Sequence, residues 1–92
     1  ANDDLNNVYV YPNPVRPTFA GTVKVAGLID KANIKITDIE GNLVFETTSQ
    51  GGTIEWDTTA FGKYKVASGV YMIFISAQDG GETKVKKVMI IR

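Results

Sequence analysis

The sequence contains no cysteine and no histidine among its 92 residues. Without cysteine, the chain can form neither disulfide bonds nor thiolate metal sites. Without either residue type, it lacks the usual nucleophile–base pairs of hydrolases and the usual ligands of zinc. These absences exclude the common enzyme classes and predict a protein that has no catalytic centre, no cofactor and no metal ion.

A long apolar run and a net charge are also missing. No stretch approaches the ~18 apolar residues that a membrane-spanning helix needs, and ten basic residues balance ten acidic ones. A neutral chain is a poor candidate for nucleic-acid binding. The balance hides an asymmetry, because residues 1–60 carry a net charge of −4 and residues 61–92 a net charge of +4. The basic end of the protein is therefore its C-terminal end.

The acidic residues form no recognisable site. Asp3, Asp4, Asp79 and Glu82 lie in polar segments, but a calcium ion needs six to eight oxygen ligands, and no loop here has the required spacing. We expect these side chains to be solvated. Residues 1–7 are expected to form a linker tail, and residues 8–92 the folded domain.

What the sequence does contain is a repeated strand pattern. Short segments rich in β-branched and aromatic residues are separated by turn-forming residues, and most of them alternate between apolar and polar positions. Up to residue 57 they are VYVY at 8–11, TVKVA at 22–26, NIKITDI at 33–39, LVFET at 43–47 and TIEWD at 53–57. The EGN sequence between the third and fourth segments predicts a hairpin.

After residue 57 the chain continues with a polar, glycine-containing connection and then two strands. The segment VYMIFISA at 70–77 carries apolar residues on both of its faces. This pattern predicts a central strand that is buried on both sides. After the turn QDGG, the last segment pairs back. Its alternation is interrupted, because Val85 and Val88 are three residues apart, and this predicts a β-bulge or an edge twist. Seven such strands predict an all-β, immunoglobulin-like antiparallel β-sandwich.

Aromatic residues offer one candidate binding site. Trp56, Phe61, Tyr64 and Tyr71 cluster in the second half. Trp56 alternates in step with Ile54, so we expect it in the core. Tyr64 lies in the predicted connection and is the stronger candidate for an exposed ring that stacks on a sugar.

The C-terminal segment ETKVKKVMIIR is the second candidate site. Four basic residues within nine positions precede or follow an apolar run: Lys84, Lys86, Lys87 and Arg92. The apolar residues need a core partner, which the segment 70–77 supplies. The positive charges either protect a sheet edge against unwanted pairing or steer the domain to an acidic partner.

Several segments resemble, in order, the C-terminal sorting domains of type IX secretion in Bacteroidetes. They are VYPNP at 10–14, IKITDIEGNLVFET at 34–47, EWD at 55–57 with KVASGVYMIFI at 65–75, and KVKKVMIIR at 84–92. The resemblance covers nearly the whole chain. It departs from the family at Thr58, where many members have glycine after the Trp–Asp pair.

The resemblance implies a function that the composition does not reveal. Such a domain directs its cargo through the type IX translocon, from the periplasm across the outer membrane to the cell surface. A sortase-like protease of the surface attachment machinery then removes the domain in most members, and the cargo is joined to anionic lipopolysaccharide. The expected recognition residues are Lys84, Lys86, Lys87, Val88, Met89, Ile90, Ile91 and Arg92. The motif residues Pro12, Asn13, Pro14, Gly41, Gly69 and Tyr71 are expected to be architectural.

Two alternatives remain at this stage. One is a sandwich that binds carbohydrate or lipopolysaccharide through exposed aromatic rings. The other is an immunoglobulin-like assembly module, similar to those of flagellar hook-capping proteins, with a structural protein partner. The sequence does not indicate the oligomeric state, the cargo, or whether the domain is removed.

Overall fold

The fold was analysed in a computed structural model that describes residues 4–78 and 80–92. Seven β-strands account for the regular structure of these residues. In chain order they are β1 Tyr9–Tyr11, β2 Val23–Ala26, β3 Asn33–Thr37, β4 Leu43–Thr48, β5 Thr53–Trp56, β6 Gly69–Ser76 and β7 Thr83–Ile90. The described part of the chain contains no helix with the length and apolar character needed to span a bilayer.

The strands form two antiparallel sheets that pack as a sandwich, which confirms the predicted fold. The small sheet has the order β1-β2-β5, and the large sheet has the order β4-β3-β6-β7. The last strand therefore lies at one edge of the large sheet. It pairs with β6, as the sequence predicted for the final segment.

The period-two pattern determines which side chains enter the space between the sheets. Val23 and Val25 are fully buried, whereas Lys24 between them faces outward and lies 3.5 Å from Glu55 of the neighbouring strand. Lys35 pairs in the same way with Glu46 on the outer face of the large sheet, at 3.6 Å. Both ion pairs are exposed, so they contribute little to stability. The buried apolar residues provide the main stabilising term.

Trp56 and Tyr71 pack against each other in the core. The Trp56 side chain is fully buried, as predicted, and its ring centroid lies 5.7 Å from that of Tyr71 in an edge-on arrangement. The two residues belong to opposite sheets, so the contact joins them. Each polar tip has a partner, because Trp56 Nε1 donates to the Thr59 carbonyl oxygen and the Tyr71 hydroxyl donates to that of Ala67.

The predicted hairpin joins β3 and β4 through a tight turn. Asp38 accepts hydrogen bonds from the backbone N–H groups of Glu40 and Asn42 and from the Asn42 side chain. Gly41 has a φ of 91°, which a residue with a side chain rarely adopts. A bulge follows, because Ile36 pairs with Phe45 while Thr37 pairs with Leu43, leaving Val44 as the extra residue on β4.

Two details of the last hairpin differ from the sequence prediction, while the edge twist that it offered as an alternative to a bulge stays a prediction. The pairing of β6 with β7 is continuous from Gly69–Ile90 to Ser76–Thr83, so β7 has no bulge. The alternation was misread because Lys84 and Lys86 occupy inward-facing positions on an edge strand. Also, β6 lies between two strands but is buried on one face only, since Phe74 on the outer face is 42% exposed.

The N-terminal segment joins the packed domain earlier than expected. Leu5 is fully buried in the core, and its N–H donates to the Glu82 carboxylate at 3.2 Å. The expected linker covers residues 1–7, of which 1–3 lie outside the described residues. Packing therefore does not mark a boundary at residue 8, and the boundary itself stays a prediction.

Candidate functional site

The basic C-terminal segment forms β7, and its side chains divide between two faces. Lys84, Lys86, Val88 and Ile90 face the inside of the sandwich, while Thr83, Val85, Lys87 and Met89 face outward. The change from lysine to aliphatic residues along the inner face follows the depth of the core. Val88 and Ile90 are almost completely buried there. They cannot contact a partner while the domain is folded.

The three lysines of β7 remain accessible. Lys84 and Lys86 lie opposite Ile75 and Ile73 of β6, at the rim of the sandwich, where both are half-exposed. Such inward-pointing charges at an edge discourage pairing with another sheet. Lys87 is exposed on the outer face. No acid among residues 4–78 and 80–92 forms an ion pair with any of the three, so their positive charge faces solvent uncompensated.

The outer edge of β7 is covered at its C-terminal end by the Pro12–Asn13–Pro14 corner. The Asn13 side chain donates from Nδ2 to the Lys87 carbonyl oxygen at 2.9 Å and accepts the Met89 N–H through Oδ1 at 3.0 Å. Next to it, the Val15 N–H donates to the Met89 carbonyl oxygen, and the Val15 carbonyl oxygen accepts the Ile91 N–H, both at 2.7 Å. Residues 13 and 15 thus act as a short parallel strand beside β7.

Sequence reasoning missed this contact. It expected Pro12, Asn13 and Pro14 to be architectural but did not indicate what they contact, and proline itself lacks the N–H needed for strand pairing. The structure adds that Asn13 supplies the missing donor and acceptor through its side chain. The only sequence signal is an amide residue between two prolines, and this does not indicate which distant strand it contacts.

The other half of the β7 edge has no strand-pairing partner among the described residues, although β1 of the small sheet packs beside β7. Because the Lys87 and Met89 backbone groups face Asn13 and Val15, the two-residue alternation also points those of Val85 and Thr83 away from β6. Among the described residues, no strand pairs with β7 on that side between Thr83 and Lys86. This open edge lies beside the lysines described above.

The outer face next to the open edge is apolar. Phe74, Val85 and Met89 are each between 42% and 51% exposed. Phe74 and Val85 lie directly opposite each other on β6 and β7. They line a surface groove of about 340 Å³, which Lys35 and Lys84 also border. Lys35 lies on this outer face, opposite Phe74, whereas the Lys84 side chain faces the inner side of β7. The groove is therefore suited to an apolar side chain of an extended segment, whose acidic residues would face Lys84 and Lys86 on the inner side.

Arg92 has partners within the domain, although it was expected to act in recognition. Its Nε donates to the Val66 carbonyl oxygen at 2.8 Å and its Nη2 to the Thr58 carbonyl oxygen at 3.1 Å. Its backbone N–H donates to the Ser68 hydroxyl. These three bonds attach the C-terminal residue to the connection between β5 and β6. Ile91 beside it is half-buried.

Gly69 and Tyr71 lie at the start of β6, opposite the end of β7. Gly69 pairs with Ile90 and has a φ of 156°. Tyr71 pairs with Val88, and burial of its ring raises the pKa of its hydroxyl above the ordinary value. The motif residues of β6 therefore support the buried residues of the last strand.

The aromatic candidates separate into core and surface. Tyr64 is 66% exposed, in agreement with its expected position in a loop, whereas Trp56 and Tyr71 are inaccessible. Tyr9 and Tyr11 were not among the predicted candidates, yet their exposed rings stack at 5.6 Å on the outer face of β1.

The acidic candidates do not assemble into a metal site. Within residues 4–78 and 80–92, no three metal-ligating side chains lie close enough together to hold an ion. Glu82 instead accepts the Leu5 N–H, and Asp4 caps the N–H of Asn6. Asp3 and Asp79 lie outside the described residues.

Comparison with known proteins identifies the family. The family model described as "Secretion system C-terminal sorting domain" matches residues 9–91. A search of curated proteins found no match. Among solved structures, the chain is similar to PorZ, described as an essential bacterial surface component of the type-IX secretion system of the human oral-microbiomic Porphyromonas gingivalis. The sequence had suggested this likeness to the C-terminal domain of PorZ, and the comparison confirms it.

The similarity to PorZ extends over the whole domain. The TM-score is 0.89 and the sequence identity 36%, over 97% of this chain. The chain spans only 12% of the PorZ chain, at its C-terminal part. Members of the matched family are non-catalytic secretion signals. The chain belongs to the secretion system C-terminal sorting domains, which direct cargo proteins through type IX secretion to the cell surface.

Proposed function

We propose that the accessible part of β7 is the surface that the type IX translocon reads while the cargo is in the periplasm. The observation that carries this proposal is the set of uncompensated lysines on the last strand, at the edge of the large sheet. Positive charges in this position steer association with an acidic partner over distances of about 10 Å. Lys84, Lys86, Lys87 and Met89 would make the contacts.

The other expected recognition residues would act indirectly. Val88 and Ile90 fill the core, Ile91 is bonded to Val15, and Arg92 is bonded to the β5–β6 connection. They would hold β7 in one register and so present the lysines at fixed positions. A substitution at these positions would therefore block export through loss of folding, whereas a lysine substitution would block it in a folded domain.

Export of a reporter tests the proposal. A reporter with a Sec signal is fused to residues 1–92 in a host with a working type IX system, and the Lys86→Ala/Lys87→Ala fusion is compared with it. A matched control, Arg16→Ala/Lys63→Ala, removes two positive charges from exposed side chains outside β7. We expect surface reporter for the wild type and the control, and periplasmic reporter for the Lys86→Ala/Lys87→Ala variant.

Circular dichroism of the purified domains verifies folding in each variant. Equal surface export of a folded Lys86→Ala/Lys87→Ala variant would show that these lysines are not read. Periplasmic retention of the Arg16→Ala/Lys63→Ala control would show that total charge matters rather than β7.

We further propose that, after export to the outer surface, the sortase-like surface attachment machinery removes the domain and joins the cargo to anionic lipopolysaccharide. The family membership and the likeness to a surface component of the type IX system support this step. Mass spectrometry of the surface-bound reporter tests it. A reporter that lacks residues 1–92 and carries lipopolysaccharide is the expected product. An intact fusion without lipopolysaccharide would contradict the proposal for this domain.

A further inference from the structure

We propose that the open edge of β7, from Thr83 to Lys87, binds an extended acidic strand of a protein partner, which continues the large sheet. This inference rests on the proposed function, because it names the partner chemistry of the same recognition strand. Strand addition at a free edge is a common mode of peptide recognition, in which main-chain hydrogen bonds supply affinity and alternate side chains supply specificity.

The free backbone groups of β7 favour a peptide as the ligand. The Asn13 and Val15 contacts close the edge at Lys87–Ile91 only, and no described strand pairs with the part before it. The N–H and C=O groups of Val85 and the N–H of Lys87 therefore point outward at strand spacing. An anionic glycan or lipid could neutralise the lysines but has no backbone to match this alternation.

The charges of β7 disfavour a second copy of the domain. If two β7 edges paired antiparallel around Val85, Lys84 of each copy would face Lys86 of the other. Like charges in directly opposed positions destabilise a strand pair. Acidic residues in the same positions would instead form cross-strand pairs with Lys84 and Lys86, so the edge selects an acidic strand and rejects itself.

The groove on the outer face adds a preference for an apolar residue at one position of the bound strand. On the outer face, the residue of the added strand opposite Val85 would reach the apolar floor formed by Val85 and Phe74. The residues before and after it would face Lys84 and Lys86 on the inner side. The edge is therefore complementary to an acidic–apolar–acidic sequence in extended conformation.

Amide hydrogen exchange of the isolated domain tests the inference. The probe is a capped peptide that alternates glutamate and valine, with a capped lysine–valine peptide as control. We expect the glutamate–valine peptide to slow exchange of the Val85 and Lys87 amides at least ~10-fold at saturation, and its binding to weaken as salt is raised. The Met89 amide, already bonded to Asn13, should change little.

A charge reversal makes the test specific. The Lys84→Glu/Lys86→Glu variant keeps the edge backbone, so it should lose the glutamate–valine peptide and gain the lysine–valine peptide. The matched Arg16→Glu/Lys63→Glu variant should behave as the wild type does. The inference would be overturned if the exchange of the Val85 and Lys87 amides stayed unchanged, or if both peptides protected them equally. It would also be overturned if the domain bound purified anionic lipopolysaccharide but neither peptide.

The two proposals fail separately. If the peptide does not protect the edge but Lys86→Ala/Lys87→Ala still blocks export, strand addition is wrong and the lysines are read in another way. If export ignores the lysines, the proposed function is wrong, whatever the peptide does.

Discussion

Asn13 Oδ1 accepts the Met89 N–H at 3.0 Å, so a side chain near the start of the domain is bonded to the strand at its end. The Asn13 Nδ2 donates to the neighbouring Lys87 carbonyl oxygen. One amide thus satisfies a donor and an acceptor that would otherwise remain open on an edge strand. The contact connects the Pro–Asn–Pro motif with the C-terminal motif.

This contact predicts that Asn13→Ala destabilises the domain by about 1–2 kcal/mol, because two hydrogen bonds of about 1 kcal/mol each are lost. Urea unfolding measures the change, and faster hydrogen exchange at Met89 locates it. Asn6→Ala is the control, since no hydrogen bond from the Asn6 side chain is described. An equal effect of both substitutions would contradict a role for the Asn13 amide in holding β7.

Thr58 has a φ of 62°, at the position where the sequence resemblance implied glycine in many family members. In this left-handed region a side chain costs roughly 1–2 kcal/mol. We therefore expect Thr58→Gly to be more stable than Thr58→Ala by about 1 kcal/mol in thermal unfolding, since both lose the same hydroxyl and methyl groups. At Thr53 in β5 we expect the opposite, with Thr53→Ala more stable than Thr53→Gly, because glycine in a strand only adds conformational freedom to the unfolded chain. The same order at both positions would show that backbone strain at Thr58 is not the cause.

Arg92 holds the chain end through a planar guanidinium that reaches two carbonyl oxygens, those of Val66 and Thr58. Lysine keeps the charge but cannot reproduce this two-pronged geometry. Arg92→Lys should therefore lower the free energy of unfolding by about 1 kcal/mol, measured by urea unfolding against Arg16→Lys as control. If Arg92→Lys leaves stability unchanged but reduces export, Arg92 acts in recognition, as the sequence had suggested.

Asp38 predicts a pH dependence of stability. Hydrogen bonds from the Asn42 side chain and from the backbone N–H groups of Asn42 and Glu40 lower the pKa of its carboxyl. A folded-state pKa below the unfolded value gives stability that is present above about pH 4 and is lost as the pH falls through the folded-state value. The advantage of the wild type over Asp38→Asn should thus be largest near neutral pH and shrink in acid.

Urea unfolding of both proteins at several pH values measures this difference, with Glu40→Gln as a control in the same turn. A difference between wild type and Asp38→Asn that stays constant down to acidic pH would show that the ionised carboxylate does not stabilise the β3–β4 turn.

Most of the fold could be predicted because alternation along a strand is a local property. Ile54 and Trp56 are two residues apart, so they share a face, and the larger side chain had to be buried. The same argument predicted the β3–β4 hairpin and the pairing of the last segment with β6. It was wrong for Phe74, because apolar residues on both faces of a strand do not show whether a second layer covers the outer face.

The sequence by itself determined the number of strands and their positions along the chain, the family, and the basic character of the last strand. Only the tertiary structure decided which lysines are accessible, that Val88 and Ile90 are core residues, and that Asn13 and Arg92 hold the ends of β7. Periodicity relates neighbours two residues apart, whereas the Asn13–Met89 bond spans 76 residues. Such a contact arises when two edges of a sandwich meet, and their meeting depends on the packing of all the strands between them.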